Sequence, residues 1–111
     1  MSEHSSVLIV DDEHDIRELL VLTLGRMGLR TDTAPNLSAA RQMLATVSYD
    51  LCLTDMRLPD GSGLELVAEI ATRFPQTPVA VITAYGNVEA AVEALKAGAF
   101  DFVSKPVDVH M

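Results

Sequence analysis

The stretch LCLTDMRLPDGSG, residues 51–63, decides the fold of this chain. Its apolar run Leu51–Thr54 is short and stops at Asp55, and the loop that follows carries one proline and two glycines. The segment VLIVDDE, residues 7–13, has the same form, because the apolar run Val7–Val10 ends at two aspartates. Short apolar runs that end at polar residues predict buried strands whose ends lie at one edge of a sheet.

Strands and helices are predicted to alternate along the whole chain. After the first strand the apolar residues recur with a helical period from Asp15 until Gly28 stops the helix, and three further helices follow the later strands. This alternation predicts an α/β fold in which a parallel sheet is covered by helices on both faces. The five predicted strands are Val7–Val10, Arg30–Ala34, Leu51–Thr54, Val79–Ile82 and Phe100–Ser104.

The helical period also predicts which side chains face the sheet. In the first helix the predicted inward residues include Leu19, Leu20 and Met27. In the second helix they are Leu37, Ala40, Leu44 and Val47, and in the fourth helix they are Val88, Ala91, Val92 and Leu95.

Composition limits the classes of function. With 111 residues the chain is predicted to form one domain, and 5% aromatic residues suit an aliphatic core better than a surface for stacking bases. A net charge of −8 argues against direct binding of nucleic acid and against adhesion to anionic lipid. The single cysteine, Cys52, cannot form an internal disulfide, and neither a membrane span nor a signal peptide is visible. A cytoplasmic protein is therefore expected.

Polar side chains stand at four strand ends: Asp11 with Asp12, then Asp55, Thr83 and Lys105. The carboxyl ends of parallel strands meet at one edge of a sheet, so these side chains are expected to lie close together. Clustered carboxylates repel unless a cation joins them, and oxygen ligands favour Mg²⁺, with Mn²⁺ as the alternative. A carboxylate beside such a cation can attack phosphorus, while an ammonium and a hydroxyl bind the phosphoryl oxygens. We therefore predict a phosphoryl-transfer site with Asp55 as the nucleophile.

Each of these residues also has an ordinary structural interpretation. Asp11 and Asp12 could cap the first helix, Thr83 could simply end a strand, and Lys105 could be a solvated surface lysine. Two other classes of function are considered: a Mg²⁺-dependent phosphatase with an aspartyl nucleophile, and a docking domain that is never phosphorylated. The phosphatase is disfavoured because its nucleophile would follow the first strand, and the docking domain because such domains usually lack the aspartate, threonine or lysine.

Four motifs carry a resemblance to a known family: VLIVDDE (7–13), LCLTDMRLPDGSGLEL (51–66), VITAYG (81–86) and ALKAGAFDFVSKP (94–106). Together they resemble the response-regulator receiver domains of bacterial two-component signalling. The residues in these motifs resemble those of the nitrogen-regulator-type branch, whose members activate sigma-54 promoters. Within that branch they most resemble regulators of type IV pilus (fimbriae) genes. The resemblance implies a flavodoxin-like, doubly wound, five-stranded parallel sheet with strand order 2-1-3-4-5.

The resemblance also implies a role for each site residue. Asp55 matches the phosphoacceptor and, with Asp12, a direct ligand of Mg²⁺. Asp11 matches a residue that acts on the cation mainly through water, and the backbone carbonyl of Arg57 matches a further ligand. Lys105 matches the phosphate-binding lysine.

The same resemblance implies a conformational switch. Thr83 matches the switch hydroxyl, and Phe102 matches the aromatic switch position, although a plain edge-strand aromatic is the alternative for that ring. Arg57 and Tyr85 match positions that tune the lifetime of the phosphoryl group. Pro106 matches a proline whose preceding peptide bond is usually cis in the family.

The implied partners are a sensor histidine kinase as phosphoryl donor and a second copy of the chain, through the face of the fourth helix and fifth strand. No nucleic acid or membrane partner is implied for residues 1–111, and the domain is expected to be a phosphoacceptor and not a turnover enzyme. Only five residues, 107–111, follow Pro106. We therefore expect a fragment of a longer sigma-54-dependent regulator that is cut inside the fifth helix, with any ATPase and DNA-binding domains beyond the cut.

Overall fold

A five-stranded parallel sheet forms the centre of the computed structural model, which describes residues 5–84 and 86–105. Its strands are β1 (Ser6–Val10), β2 (Arg30–Ala34), β3 (Leu51–Thr54), β6 (Val79–Thr83) and β7 (Asp101–Ser104), and a separate hairpin consists of β4 (Arg57–Leu58) and β5 (Gly61–Ser62). The strand order in the main sheet is β2-β1-β3-β6-β7, which is the predicted order 2-1-3-4-5 when only the main-sheet strands are counted.

Four helices connect the strands: α1 (His14–Arg26), α2 (Leu37–Thr46), α3 (Gly63–Arg73) and α4 (Val88–Ala97). From β1 the chain moves to β2 at one edge of the sheet, and from β2 it moves in the opposite direction to β3, β6 and β7. Because crossover connections between parallel strands are right-handed, α1 lies on one face of the sheet and the other three helices lie on the opposite face. Contacts of α3 with both α2 and α4 agree with this arrangement. The reversal between β1 and β3 is the point at which open sheets of this kind bind ligands.

The core is aliphatic and centres on β1, whose five residues are all buried. β2 is an edge strand, and among its residues only Ala34 is buried. Cys52 is fully buried in β3, next to Leu8 of β1 and Val79 of β6, and this burial raises the pKa of its thiol to about 12. A thiol with that pKa stays protonated at neutral pH and is inert.

The strand predictions are confirmed to within a residue, but the segment 58–63 was wrongly predicted to be plain loop. Arg57 pairs with Ser62, and Leu58 pairs with Gly61, in an antiparallel hairpin whose two strands have two residues each. Ser62 then caps α3 in a reciprocal capping box with Glu65. The glycines and the proline in this segment mark a tight, ordered turn.

The predicted inward faces are correct for α2 but wrong for parts of α1 and α4. Among the predicted inward residues of α2, Leu37, Ala40 and Leu44 are buried. Leu19 in α1 and Met27, directly after this helix, are exposed. In α4 the exposed residues are Val88, Val92 and Leu95, with Val88 79% exposed, and the buried residue is Ala94.

Small residues explain how α4 packs. An added Cβ at Gly98, directly after this helix, would lie 2.7 Å from the Ala71 Cβ of α3, so the two helices approach closely there. Alanine on the inner side permits this approach, and the larger apolar residues are left on the outer side. Among the described residues, none of the helices has both the length and the apolar character needed to cross a membrane. Pro106, with its peptide bond, and the expected truncated fifth helix lie outside the described residues.

Candidate functional site: an acidic rim around a buried lysine

The carboxyl ends of the strands meet at one rim, and backbone hydrogen bonds fix the residue that follows each strand. The Asp11 amide donates to the Ala34 carbonyl at 3.0 Å, and the Asp55 amide donates to the Val10 carbonyl at 2.9 Å. The Lys105 amide donates to the Thr83 carbonyl at 2.9 Å. Sheet pairing therefore extends one residue beyond the strands and places these side chains on rigid backbone.

The Lys105 ammonium group lies at the centre of the rim and is almost fully buried. Its Nζ lies 2.9 Å from Asp11 Oδ2 and 3.1 Å from Asp55 Oδ2, and it donates to Glu13 Oε1 at 2.5 Å. Burial acts to lower the pKa of Lys105, but the contacts with Glu13, Asp11 and Asp55 outweigh it and raise that pKa above its usual value. The ammonium is therefore fully charged at neutral pH.

Asp11 is the most deeply buried carboxylate of the rim. Its Oδ1 accepts from the Glu13 amide at 2.9 Å, and its carbonyl accepts from Arg17 Nη1 at 2.7 Å. Among the described residues, Oδ2 has no hydrogen-bond partner of good geometry, although it is ion-paired with Lys105. Burial, which outweighs the hydrogen bond from Glu13, raises the pKa of this carboxyl group. The contacts of Asp11 with Glu13 and Lys105 therefore do not fully offset the cost of burying its charged form.

These donors fit a hard divalent cation. Carboxylate oxygens of Asp11, Asp12 and Asp55 all lie within 4.8 Å of one another, with Asp12 on the exposed side. One ammonium group cannot balance these three carboxylates and Glu13, whereas a divalent ion would offset the excess negative charge. Oxygen ligands in this number suit Mg²⁺ better than Zn²⁺.

The loop after Asp55 is held tightly to the acidic rim. The Met56 amide donates to Asp55 Oδ1 at 2.7 Å, and the Gly63 amide donates to the Met56 carbonyl at 2.7 Å. A Cβ at position 63 would lie 1.9 Å from the Asp55 carbonyl oxygen, so only glycine fits there. Arg57, the predicted carbonyl ligand, follows at once as the first residue of β4.

The two predicted switch residues lie on neighbouring strands. Thr83 is fully buried at the end of β6, and Phe102 is half-buried in β7, paired with Val81. The Phe102 ring lies against Gly86, where an added Cβ would be 2.8 Å from the ring Cε1 atom. The ring therefore touches the segment that leads from Thr83 into α4. Tyr85 lies outside the described residues.

Three further residues belong to the site or support it, and the sequence interpretation did not assign them. Glu13 binds the Lys105 ammonium, and Gly63 permits the close approach of the loop to Asp55. Asp60 accepts hydrogen bonds from the first turn of α2. For Glu13 a signal existed, since it is the third acidic residue in a row after β1, and for Gly63 the signal was its place in a glycine-rich turn.

Comparison with known sequences agrees with this geometry. Residues 7–110 match the response regulator receiver domain family. The chain is 68% identical over 102 residues to the response regulator protein PilR of Pseudomonas aeruginosa, covering 92% of this chain and 23% of that protein. It is 39% identical over 103 residues to the DNA-binding transcriptional regulator NtrC of Escherichia coli, covering 93% and 22% respectively. The chain thus spans about a quarter of the length of these curated relatives.

Solved structures share the fold. The beryllofluoride-activated NtrC4 receiver domain dimer matches with a TM-score of 0.86 at 36% identity, covering 94% of this chain and 86% of that one. A response regulator protein from Burkholderia pseudomallei, with a phosphorylated aspartic acid and a calcium ion, matches with a TM-score of 0.87 at 28% identity, covering 95% and 62%. By sequence, sheet order and rim geometry, this chain belongs to the response regulator receiver domain family, with the regulators PilR and NtrC among its relatives.

Proposed function

We propose that this domain accepts a phosphoryl group on Asp55 from a sensor histidine kinase, in a Mg²⁺-dependent reaction. The contact between the buried Lys105 ammonium and Asp55 Oδ2, at 3.1 Å, is the observation that carries the proposal. Lysine is seldom buried unless it is paired, and this buried lysine lies with three carboxylates at the edge of the sheet where open α/β folds bind ligands. A lysine that must bind phosphoryl oxygens beside a nucleophile is placed in this way.

The chemistry is nucleophilic substitution at phosphorus. A lone pair on an Asp55 carboxylate oxygen forms the new bond while the bond from phosphorus to the donor's leaving group breaks, and the leaving group takes that electron pair. The Asp55 carboxylate loses its charge when the new bond forms, but the phosphoryl group brings its own negatively charged oxygens, so Lys105 keeps an anionic partner throughout. Glu13 is exposed, so its side chain can rotate toward the solvent. One N–H of the Lys105 ammonium group is then available to donate a hydrogen bond to a phosphoryl oxygen.

Asp11, Asp12, Asp55 and the Arg57 carbonyl would hold the cation, with Mn²⁺ as a substitute for Mg²⁺. A bound divalent ion supplies charge neutralisation for the incoming phosphoryl oxygens. The Met56 amide, which already donates to Asp55 Oδ1, is placed to bind one of these oxygens after transfer. Arg57 and Tyr85 are proposed to slow attack by water and so to set the lifetime of the phosphorylated state.

Phosphorylation of Asp55 at the rim is proposed to cause a conformational switch. A phosphoryl oxygen at Asp55 offers the Thr83 hydroxyl a new acceptor, and movement of Thr83 changes the packing of Phe102 on Gly86. The face formed by α4 and β7 then changes and promotes dimerisation, which controls a downstream sigma-54-dependent activation module in the cytoplasm. Support for this part comes from the relatives, because the NtrC4 receiver domain was solved as an activated dimer.

Phosphorylation of Asp55 is tested by incubating the chain with acetyl phosphate and Mg²⁺ and measuring phosphoryl incorporation by mass spectrometry. We expect incorporation in the unaltered chain and in Asp101→Asn, a matched change at an exposed aspartate at the start of β7, and none in Asp55→Asn. Undiminished incorporation in Asp55→Asn would refute the assignment. Multiple turnover of a phosphoester would instead support the phosphatase, and failure to bind beryllofluoride with Mg²⁺ would support the docking domain.

A further inference from the structure

Asp60 joins the loop of the acidic rim to a helix that is distant in sequence. It lies at the tip of the β4–β5 hairpin, and its carboxylate accepts from the Leu37 amide at 2.8 Å and from the Ser38 amide at 3.0 Å. These are the first two residues of α2. The hairpin that starts two residues after Asp55 is thus tied to a helix that the phosphoryl chemistry does not otherwise involve.

This contact adds to an ordinary helix cap. α2 has its own N-cap, Asn36, whose side chain accepts from the Ala39 amide at 2.8 Å. Asp60 binds two of the remaining unpaired amides, and a negative charge is favoured at this end of a helix. The hydrogen bond from the Leu37 amide is the largest cause of a lowered pKa at Asp60. Because Asn36 already caps α2, the feature peculiar to Asp60 is the hairpin to which it belongs.

The hairpin is fixed at both its base and its tip. At the base, the Gly63 amide is bound to the Met56 carbonyl, and Gly63 lies against the Asp55 carbonyl. At the tip, next to Asp60, an added Cβ at Gly61 would lie 2.7 Å from Leu37 Cδ1. Between these points run the paired residues of β4 and β5. A short antiparallel hairpin is not stable alone, so its conformation depends on these two attachments.

We propose that Asp60 is a positioning residue that holds the β4–β5 hairpin against α2 and thereby fixes the Met56 amide and the Arg57 carbonyl for Mg²⁺ and phosphoryl binding. The inference rests on the proposed function, since it assigns these two groups to the cation and the phosphoryl oxygens. Residues that orient the ligands of a metal commonly change metal affinity when they are removed.

Titration of the unphosphorylated chain with Mg²⁺, followed by NMR, tests this role. Asp60→Ala is expected to weaken Mg²⁺ binding by about 10-fold and to shift the Met56 amide resonance in the metal-free state. Asn36→Ala is the matched control, because it removes a cap from the same helix without touching the hairpin. It should lower the denaturant midpoint but leave the Mg²⁺ dissociation constant unchanged. Asp60→Asn keeps one side-chain oxygen and should fall between Asp60→Ala and the unaltered chain.

The outcomes separate the two proposals. Equal Mg²⁺ affinity in Asp60→Ala and Asn36→Ala would overturn the positioning role and leave the proposed function standing. Absence of Mg²⁺ binding by the unaltered chain would overturn the proposed function, and this role with it. If Asp60→Ala does not fold, Asp60→Asn decides, and an affinity equal to that of the unaltered chain would then overturn the role.

Discussion

Two helices of equal length, α2 and α4, begin in the same way and pack very differently. Each has ten residues and an asparagine N-cap whose side chain accepts from the third helical amide. α2 buries Leu37, Ala40 and Leu44, whereas α4 buries only Ala94 among its residues.

The difference shows that local sequence starts a helix but tertiary contacts decide how firmly it is held. α2 is bound to the core and to the hairpin of the site, so it acts as scaffold. α4 rests on small residues and leaves Val88, Val92 and Leu95 exposed in one row. A helix with few buried apolar contacts is displaced at low free-energy cost, which suits the switching role proposed for the face that contains α4.

The largest expected effect compares core truncation in the two helices. Leu37→Ala should lower the free energy of unfolding by about 2–5 kcal/mol, because Leu37 is fully buried and a cavity remains. Leu95→Ala, at a half-exposed position on α4, should cost less than about 0.5 kcal/mol. Urea denaturation measures both values. Similar losses at the two positions would show that α4 is held as firmly as α2.

A smaller effect is expected from the two caps. Asn36→Ala and Asn87→Ala should each cost about 1 kcal/mol. Amide hydrogen exchange should accelerate in the first turn of α4 after Asn87→Ala, since water alone replaces the cap. In α2, the Leu37 and Ser38 amides should stay protected, because Asp60 still binds them. Equal acceleration of amide exchange in the first turns of α2 and α4 would show that Asp60 does not protect α2 in this way.

The smallest effect concerns pH. The pKa of Asp60 is lowered, chiefly by the Leu37 amide, so its contribution to stability is complete above the unfolded pKa near 3.8 and is lost as the pH falls through the folded pKa. The Leu37 and Ser38 amide resonances should therefore move together in an NMR titration below pH 3.8, while the first turn of α4 does not. In Asp60→Asn this movement should be absent, and its persistence would assign it to another group.

The sheet and the rim could be predicted from sequence because each apolar strand ends at a polar residue. Val10, Thr54 and Ser104 are each followed by one of the residues proposed to carry the chemistry. Backbone pairing alone then brings Asp11, Asp55 and Lys105 together, so no side-chain detail was needed.

Helix orientation and long-range contacts could not be predicted in the same way. α1 contains four consecutive apolar residues, 19–22, and α4 mixes alanines with valines, so more than one face fits the helical period. The contact of Asp60 with Leu37 spans 23 residues and depends on how the hairpin lies against α2. The ion pair of Glu13 with Lys105 spans 92 residues and depends on the orientation of a long side chain.

The inert thiol of Cys52 gives the folded domain an internal reporter. A reagent can reach this sulfur only when the central strands separate, so the labelling rate measures the frequency of that opening. A ligand that binds only the folded chain makes the opening rarer. The slowing of labelling as Mg²⁺ is added would therefore give the stability of the whole sheet as a function of occupancy at the rim, in a protein that lacks tryptophan as an optical probe.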